Sequence, residues 1–435
     1  MRNFVIAPLL AGVFLSVSAQ AADLVQVYRD AVSNDAVIAS ARSALMAGQE
    51  RSVQGRAGLL PQIGLGGSYS QINAETAGRK ADYNVNNYAL TLTQPLFRMA
   101  NWETYQQGKL SVAVSEAIYA QARQDLITRV AQAYFDVLAA QDVLAFLKAQ
   151  ENAITEQLAS AKRNFEVGTA TITDTNEAQA RFDLAIAQQI AAQNDLDVKT
   201  AALQQIIGKP PGVLATLRPG LKLSAPAPVQ IEPWVSSAEQ QNYSVISQQL
   251  ALDIARREIG RNRAGHLPTV DLVASHGYSN QSSPSFNTPG GTGTSNSVGV
   301  QWQIPLYAGF AITSKVREAI SLEDKARSDL DIARRSAAQA ARQFYLGVNS
   351  GLAQVRAYEA AEISSQSAVE SNRLGYQVGV RINIDVLNAQ QQLFSTRQLL
   401  AKARYDTLMA GLRLKSAAGT LTEDDVAKVN GLLQN

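Results

Sequence analysis

The residue types that carry most protein chemistry are scarce in this chain. Its 435 residues include no cysteine and only two histidines, His266 and His276. The lack of thiols excludes disulfides, thiolate metal sites and cysteine nucleophiles. Neither histidine has the acidic companions that a metal site or a catalytic pair would need. The sequence therefore indicates a protein that is not an enzyme and binds no cofactor or metal.

One glycine-rich run, Pro289-Gly290-Gly291-Thr292-Gly293, has the small residues of a phosphate-binding loop. Such a loop also needs a lysine and a helix directly after the glycines, and both are missing here. We therefore predict an external loop, as part of a stretch from Ser282 to Asn296 that is rich in Ser, Pro, Gly and Thr.

Composition argues against a nucleic-acid partner. The 39 basic and 37 acidic residues leave a net charge of +2, and charged residues make up 17% of the chain. Nucleic-acid-binding domains carry a clustered basic surface, which this balance does not indicate.

The first residues predict an export signal. Arg2 precedes an apolar stretch from Ile6 to Val17, and Ala19-Gln20-Ala21 forms a small-x-small cleavage site. We assign residues 1–21 to a signal peptide. No later stretch of about 18 consecutive apolar residues predicts a transmembrane helix, so any membrane crossing would have to use strands.

The remaining chain is one unit written twice. Arg56–Pro61 returns as Arg263–Pro268, an offset of 207 residues, and Val167-Gly168 returns as Val378-Gly379, an offset of 211. These matches divide the chain as follows: repeat one at 22–208, a proline-rich linker at 209–234, repeat two at 235–425 and a tail at 426–435.

Each repeat reads as helix, strand, strand, long helix, turn and helix. The strands alternate apolar and polar residues, over runs close to the nine to eleven residues or so that cross a bilayer. Aromatic residues that fit the two membrane interfaces are Tyr69, Tyr88, Tyr278, Trp302 and Tyr307. Two ordinary hairpins packed on a soluble core are the alternative.

The helices from Met99 to Phe165 and from Ile312 to Tyr376 contain no proline. At 1.5 Å per residue each would be about 100 Å long, which indicates coiled-coil packing. Four strands cannot close a barrel. Eight would largely fill their own interior, whereas twelve leave a channel, so the strand count favours three or more copies.

Three segments resemble one known family. They are Asn164–Gly168 with Ile172–Asp174, Tyr376–Arg381 with Ile384–Leu387, and Leu414–Leu421. With the duplication, they make the chain similar to the TolC family of outer-membrane exit ducts. The resemblance implies a mainly α protein with a membrane β part. Four strands per protomer build a 12-stranded β-barrel in a homotrimer, continued by a long α-helical barrel.

The resemblance also implies a location and partners. The duct would stand in the outer membrane of a Gram-negative bacterium and extend into the periplasm. It would serve type I protein secretion, multidrug efflux or both. A periplasmic adaptor and an inner-membrane ABC or proton-driven transporter would open its periplasmic tip. The alternative function is a periplasmic helical-hairpin adaptor or structural component of an export machine.

Carried onto this sequence, the family's periplasmic gate corresponds to Thr173, Asp174, Tyr376 and Arg381. Asp174 begins a helix with Glu177 three residues later, which is also a capping pattern.

The family's entrance ring corresponds to Asp385, and the next ring position is Asn388 instead of an acid. A trimer would then place three carboxylates there instead of six, and we expect weaker block by multivalent cations. Asp385, like Asp174, could instead be a helix cap.

The tips where adaptors dock correspond to Val167, Gly168, Val378 and Gly379. Both glycines are also expected to adopt left-handed conformations at helix turns.

Overall fold

The computed structural model describes residues 21–76, 79–283 and 289–434. Apart from Ala21, the predicted signal peptide lies outside these residues.

The first repeat contains four helices and two strands. They are α1 (Leu24–Asn34), α2 (Ala36–Ala57), β1 (Gln62–Thr76), β2 (Arg79–Phe97), α3 (Met99–Glu166) and α4 (Ile172–Ile207). The single helix predicted before the strands is two helices, because Asp35 caps a new one: its carboxylate accepts the Ile38 N–H at 2.8 Å.

The second repeat has the same order. Its elements are α5 (Glu232–Gln241), α6 (Tyr243–Arg263), a 3₁₀ turn (Ala264–His266), β3 (Thr269–Gln281), β4 (Gly291–Gln303), α7 (Ala311–Gln377) and α8 (Asn383–Ala417), and α9 (Glu423–Asn430) follows. Here Asn242 is the cap that divides the first helix. The duplication is confirmed element by element.

Two predicted details were wrong. β4 begins at Gly291, so the last six residues of the predicted 282–296 loop are strand, because its glycines pair in register with β3. The strands have 13 to 19 residues, longer than predicted. The predicted repeat boundaries at 234 and 425 lie near the starts of α5 and α9.

The four strands form one antiparallel sheet in the order β1-β2-β3-β4, so β1 and β4 are its edges. One face is apolar and uncovered within the described protomer. Ile63, Leu65, Val298 and Trp302 on this face are 69, 77, 78 and 68% exposed. Because so large an apolar face cannot remain in water, the alternative of hairpins packed on a soluble core is wrong.

The apolar face has aromatic borders. Trp302 lies in the row of Val270 near one end, while Tyr88 and Tyr278 pair in the row of Thr294. The eight residue steps from Trp302 to Thr294 span about 27 Å along the strand at 3.4 Å per residue. At the tilt of about 40° that is usual in membrane barrels, this corresponds to a height of about 20 Å, close to the lipid-facing band of about 25 Å.

The long helices pair into two hairpins, α3 with α4 and α7 with α8. We call the pair α3 and α4 hairpin one and the pair α7 and α8 hairpin two. The largest buried cluster lies near the middle of α3, where α1, α4, α8 and the chain end meet it, and it includes Tyr134, Phe135, Leu138, Leu203 and Leu433. Truncating such an aromatic residue to alanine typically costs about 3–5 kcal/mol.

The proline-rich segment 209–231 is irregular but packed. Leu214 and Ala215 in it are buried, and the Tyr134 hydroxyl donates to the Ala215 carbonyl at 2.7 Å. It joins the two repeats across the middle of the molecule.

An 18-residue stretch of α3 is apolar enough to cross a membrane by length and composition, with a mean hydropathy of 1.3. Half of that stretch is buried inside the protein, as in the core helix of a helical bundle.

Candidate functional site

The turns of the two hairpins are close copies of each other. Gly168 has φ 78° and Gly379 has φ 79°, and an added Cβ would meet no atom within 4 Å at either. Gly168 N–H donates to Phe165 at 3.0 Å, and Gly379 N–H donates to Tyr376 at 3.1 Å. The left-handed conformations are therefore confirmed, and the backbone demands glycine here whatever else the tips do.

The valines before these glycines point into solvent. Val167 is 72% exposed and Val378 is 64% exposed. Two apolar side chains thus stand at the far end of each protomer, where a partner could cover them.

Asp174 is part of a helix cap, but in a different position from the one predicted. The N-cap of α4 is Thr171, whose hydroxyl accepts the Asp174 N–H at 3.2 Å. The Asp174 carboxylate accepts the Thr171 N–H at 3.0 Å and its hydroxyl at 2.7 Å. The expected pairing of Asp174 with Glu177 was wrong, because Asp174 is the third residue of the helix instead of its cap. Thr173 is exposed.

Tyr376 connects the hairpins. Its hydroxyl accepts a hydrogen bond at 3.1 Å from the amide of Asn164, near the end of α3. Asn164 also accepts the Thr169 and Ala170 N–H groups through its backbone carbonyl, so the bond anchors Tyr376 to the turn of hairpin one.

Arg381 and Asp385 form an ion pair within hairpin two, with Nη1 and Oδ2 3.7 Å apart. The N-cap of α8 is Ile382, which provides no side-chain cap, and Asp385 lies in the first turn. The expected capping role of Asp385 is therefore replaced by this pair. Among the described residues of one protomer, Asp174 and Arg381 share no bond.

Gly375 is a residue that sequence reasoning missed. A Cβ at this position would lie 2.6 Å from Arg381 Cγ and 3.3 Å from its Cβ. Because the stem of Arg381 passes over Gly375, the absence of a side chain there fixes where the guanidinium can go.

Arg181 was also missed. From α4 its guanidinium donates at 2.8 Å to the Asn388 side-chain carbonyl and at 2.7 Å to that of Gln391, both on α8. Gln157 of α3 likewise donates to Asn383. No sequence signal marked these residues, because each is one of many polar side chains along the helices.

Within the described ranges, no group of three or more acidic and histidine side chains is placed to hold a metal ion. His276 is hydrogen-bonded to Asn296 on the neighbouring strand. The described tips thus offer hydrogen bonds, an ion pair and exposed apolar side chains, which can bind other surfaces and release them.

The comparison with known families decides the identity of this arrangement. The model described as "Outer membrane efflux protein" matches residues 27–209 and 234–420, so it matches both repeats separately. The chain belongs to this family.

Named relatives place it further, within the TolC family. Outer membrane protein TolC of Escherichia coli is 35% identical over 98% of this chain and 88% of its own. Proteases secretion protein PrtF of Dickeya chrysanthemi is 35% identical over 96% of this chain and 92% of its own. Alkaline protease secretion protein AprF of Pseudomonas aeruginosa is 35% identical over 97% and 90%.

Solved structures share the fold. The outer membrane protein VceC of Vibrio cholerae superimposes with a TM-score of 0.78 at 18% identity, covering 91% of this chain and 96% of that one. The Campylobacter jejuni CmeC outer membrane channel gives 0.80 at 18% identity, covering 94% and 90%.

This TolC-family protein is accordingly an outer-membrane channel of the efflux/type I secretion class, and not an enzyme. Its strands belong to the outer membrane and its helices extend into the periplasm. Membership implies a trimeric assembly that works with export machinery. The alternative of a periplasmic adaptor is wrong, since the family match covers both repeats with their strands.

Proposed function

We propose that three copies of this chain close a 12-stranded barrel and that their six hairpins form a tunnel with a gate at the tips. The observation that carries the proposal is the sheet itself. Within the described protomer the outer edges of β1 and β4 have no partner strand, and the apolar face of the sheet is exposed. An unpaired edge in lipid costs several kcal/mol per backbone group, so the edges must pair between copies.

The gate would lie at the tips, where Thr173, Asp174, Tyr376 and Arg381 are found. Tyr376 already binds Asn164 inside the protomer. The Arg381 side chain is 59% exposed and its pair with Asp385 is long, at 3.7 Å, so its guanidinium would be available to bind the Thr173–Asp174 segment of a neighbouring copy. Charge-assisted bonds of this kind hold a seam closed and remain breakable.

Opening would require a partner at the tips. Val167, Gly168, Val378 and Gly379 present small, exposed apolar surfaces there. A periplasmic adaptor docked on them, together with an inner-membrane ABC or proton-driven transporter, would supply the energy that the channel itself lacks. The relatives named for protease secretion support a secreted protein as one cargo.

The test combines assembly with conductance. The full-length protein, purified from outer membranes, should behave as a heat-modifiable trimer, and in planar lipid bilayers it should show small, long-lived conductance steps typical of a closed tip. A monomer in the outer-membrane fraction, or a trimer without conductance, would contradict the proposal.

A further inference from the structure

Hairpins one and two are joined differently along their length. Near the middle of the molecule, apolar side chains of α3 and α8 share the large buried cluster. Among the described clusters, the one closest to the tips that contains both hairpins is small, with Ile154, Ala185 and Leu387 buried in it. The next cluster toward the tip, around Leu158, contains residues of hairpin one alone.

Polar bonds join the hairpins at that small cluster and beyond it. Gln157 bonds to Asn383 and Asn164 bonds to Tyr376 on the tip side of the cluster. Arg181 bonds to Asn388 and Gln391 at the level of the cluster, next to Leu387. A polar bond exchanges with water at a net cost of about 1 kcal/mol, so the seam on the tip side of the cluster can separate without exposing a dry core. At the level of Arg181, separation exposes only the small Ala185–Leu387 contact.

Arg181 differs from the other residues that join the hairpins in two ways: it is charged, and its guanidinium donates two hydrogen bonds. Its two Nη groups reach two acceptors that lie three residues apart on one face of α8. Both acceptors are neutral amides, and among the described residues Arg181 forms no salt bridge. The position that we expected to be a free entrance-ring residue, Asn388, is therefore the acceptor of a guanidinium from hairpin one.

We infer that Arg181 is a latch that holds α4 against α8 in the closed tip, and that Asn388 is its receptor instead of a free member of an entrance ring. This inference rests on the proposed gate. Separating α4 from α8 must break two charge-assisted bonds in each protomer, six in a trimer. Arg181 also places a positive charge beside Asn388, one helical turn from Asp385, which lowers the attraction of the proposed entrance for multivalent cations.

The decisive variants are Arg181→Gln, Asn388→Asp and their combination, in the full-length channel in planar bilayers. Arg181→Gln should raise the mean single-channel conductance several-fold. Lys162→Gln is the matched control, because it removes one positive charge from hairpin one but its bond to Gln179, at 3.4 Å, stays inside that hairpin. Equal conductance for wild type, Arg181→Gln and Lys162→Gln would overturn the inference.

Asn388→Asp separates a latch from a residue that only supports the helix. With Arg181 present, the new carboxylate should pair with the guanidinium, so openings become rarer and block by hexaamminecobalt stays near the wild-type level. In Arg181→Gln/Asn388→Asp the carboxylate is unpaired, and block should strengthen by about tenfold, as expected for a second acidic ring. Equal strengthening in the single and the double variant would show that Arg181 does not hold this position.

Amide hydrogen exchange gives a readout that needs no pore activity. Arg181→Gln should speed exchange in residues 172–185 and 383–392 together, and Lys162→Gln should not. Unchanged exchange in both segments would refute the latch. A wild-type protein without conductance would contradict the proposed function alone, since the exchange result would still decide the role of Arg181.

Discussion

Arg98 and Asp271 form a two-pronged ion pair where the sheet meets the helices. Arg98 Nε lies 2.8 Å from Asp271 Oδ1, and Nη2 lies 2.6 Å from Oδ2. Arg98 precedes α3 in repeat one, whereas Asp271 belongs to β3 in repeat two and is 10% exposed. The pair therefore joins the two repeats at the base of the strands.

Breaking this pair should destabilise the assembled channel. Asp271→Ala leaves a guanidinium without its partner and should cost about 2 kcal/mol per protomer, measured as a lower temperature of trimer dissociation. The exchanged pair Arg98→Asp/Asp271→Arg should recover part of the loss. If the exchanged variant loses at least as much stability as the sum of the losses in Arg98→Asp and Asp271→Arg, the pair does not provide the stability.

Arg381→Ser should raise the single-channel conductance, because it removes the guanidinium that we propose ties neighbouring tips together. Planar bilayer recordings measure this directly. Arg373→Ser is the control, since it removes the same charge from hairpin two, at an exposed position on α7. An unchanged conductance in Arg381→Ser would remove Arg381 from the gate.

Gly375→Ala should act in the same direction without changing any charge. The added methyl group would meet Arg381 Cγ at 2.6 Å, so the arginine stem must move away from its place. Gly347→Ala is matched to it on the same helix, because its Cβ would meet only Ala410, at an ordinary 3.8 Å. Similar conductance in the two variants would show that the position of the Arg381 stem is not important.

Asp385→Asn should weaken block by hexaamminecobalt several-fold, since it removes one carboxylate per protomer from the proposed entrance. The measurement is the concentration of blocker that halves the current. Asp406→Asn is a suitable control, because that carboxylate pairs with Lys402 farther from the tip. Equal sensitivity of wild type and Asp385→Asn would place the cation site elsewhere.

Asp425 should make the stability of the fold depend on pH. Burial pushes its pKa upward, but hydrogen bonds from Lys415, the Thr422 backbone and Lys428 outweigh burial, and the pKa lies below its ordinary value of 3.8. The fold therefore favours the ionised form. The stabilisation is complete above that ordinary value and is lost as the pH falls through the lowered pKa of the folded state.

Asp425→Asn should accordingly lower the free energy of unfolding by about 1–3 kcal/mol at pH 7, and by less near pH 3. Thermal melting of both proteins at the two pH values measures the difference. Asp142→Asn should behave in the opposite way. Burial raises the pKa of Asp142 despite its hydrogen bond from Tyr405, so an amide there should be neutral or stabilising at pH 7. A pH-independent loss in Asp425→Asn would contradict the role of its charge.

Much of the architecture could be predicted because it is written locally. The absence of proline and the recurring apolar spacing located α3 within one residue of its observed end, at Glu166. The glycines at 168 and 379 could be assigned because a helix turn demands a left-handed residue. The strand at Gly291–Gly293 could not be predicted from the sequence, since its local composition is that of a loop and only pairing with β3 makes it a strand.

The contacts of the tips were beyond such reasoning. Arg181 meets Asn388 because α4 and α8 cross at one particular height and rotation, and the sequence does not encode that crossing in any short segment. The pair of Arg381 with Asp385 was within reach, since residues four apart on a helix are neighbours. The space over Gly375 depends on how the chain enters α8 after the turn.

The pairing of β1 with β2 extends farther from the helices than the pairing of β2 with β3. Pairing of β2 with β3 ends at Val85 and Gln281, but β1 and β2 continue together to Thr76 and Arg79. This two-stranded ribbon extends about 20 Å farther from the helices, at 3.4 Å per residue. The paired residues 71–76 and 79–84 therefore extend past the rest of the described sheet on the side away from the helices. Because these residues belong to none of the described hydrophobic clusters, substitutions in the ribbon should leave the helical duct beneath it intact.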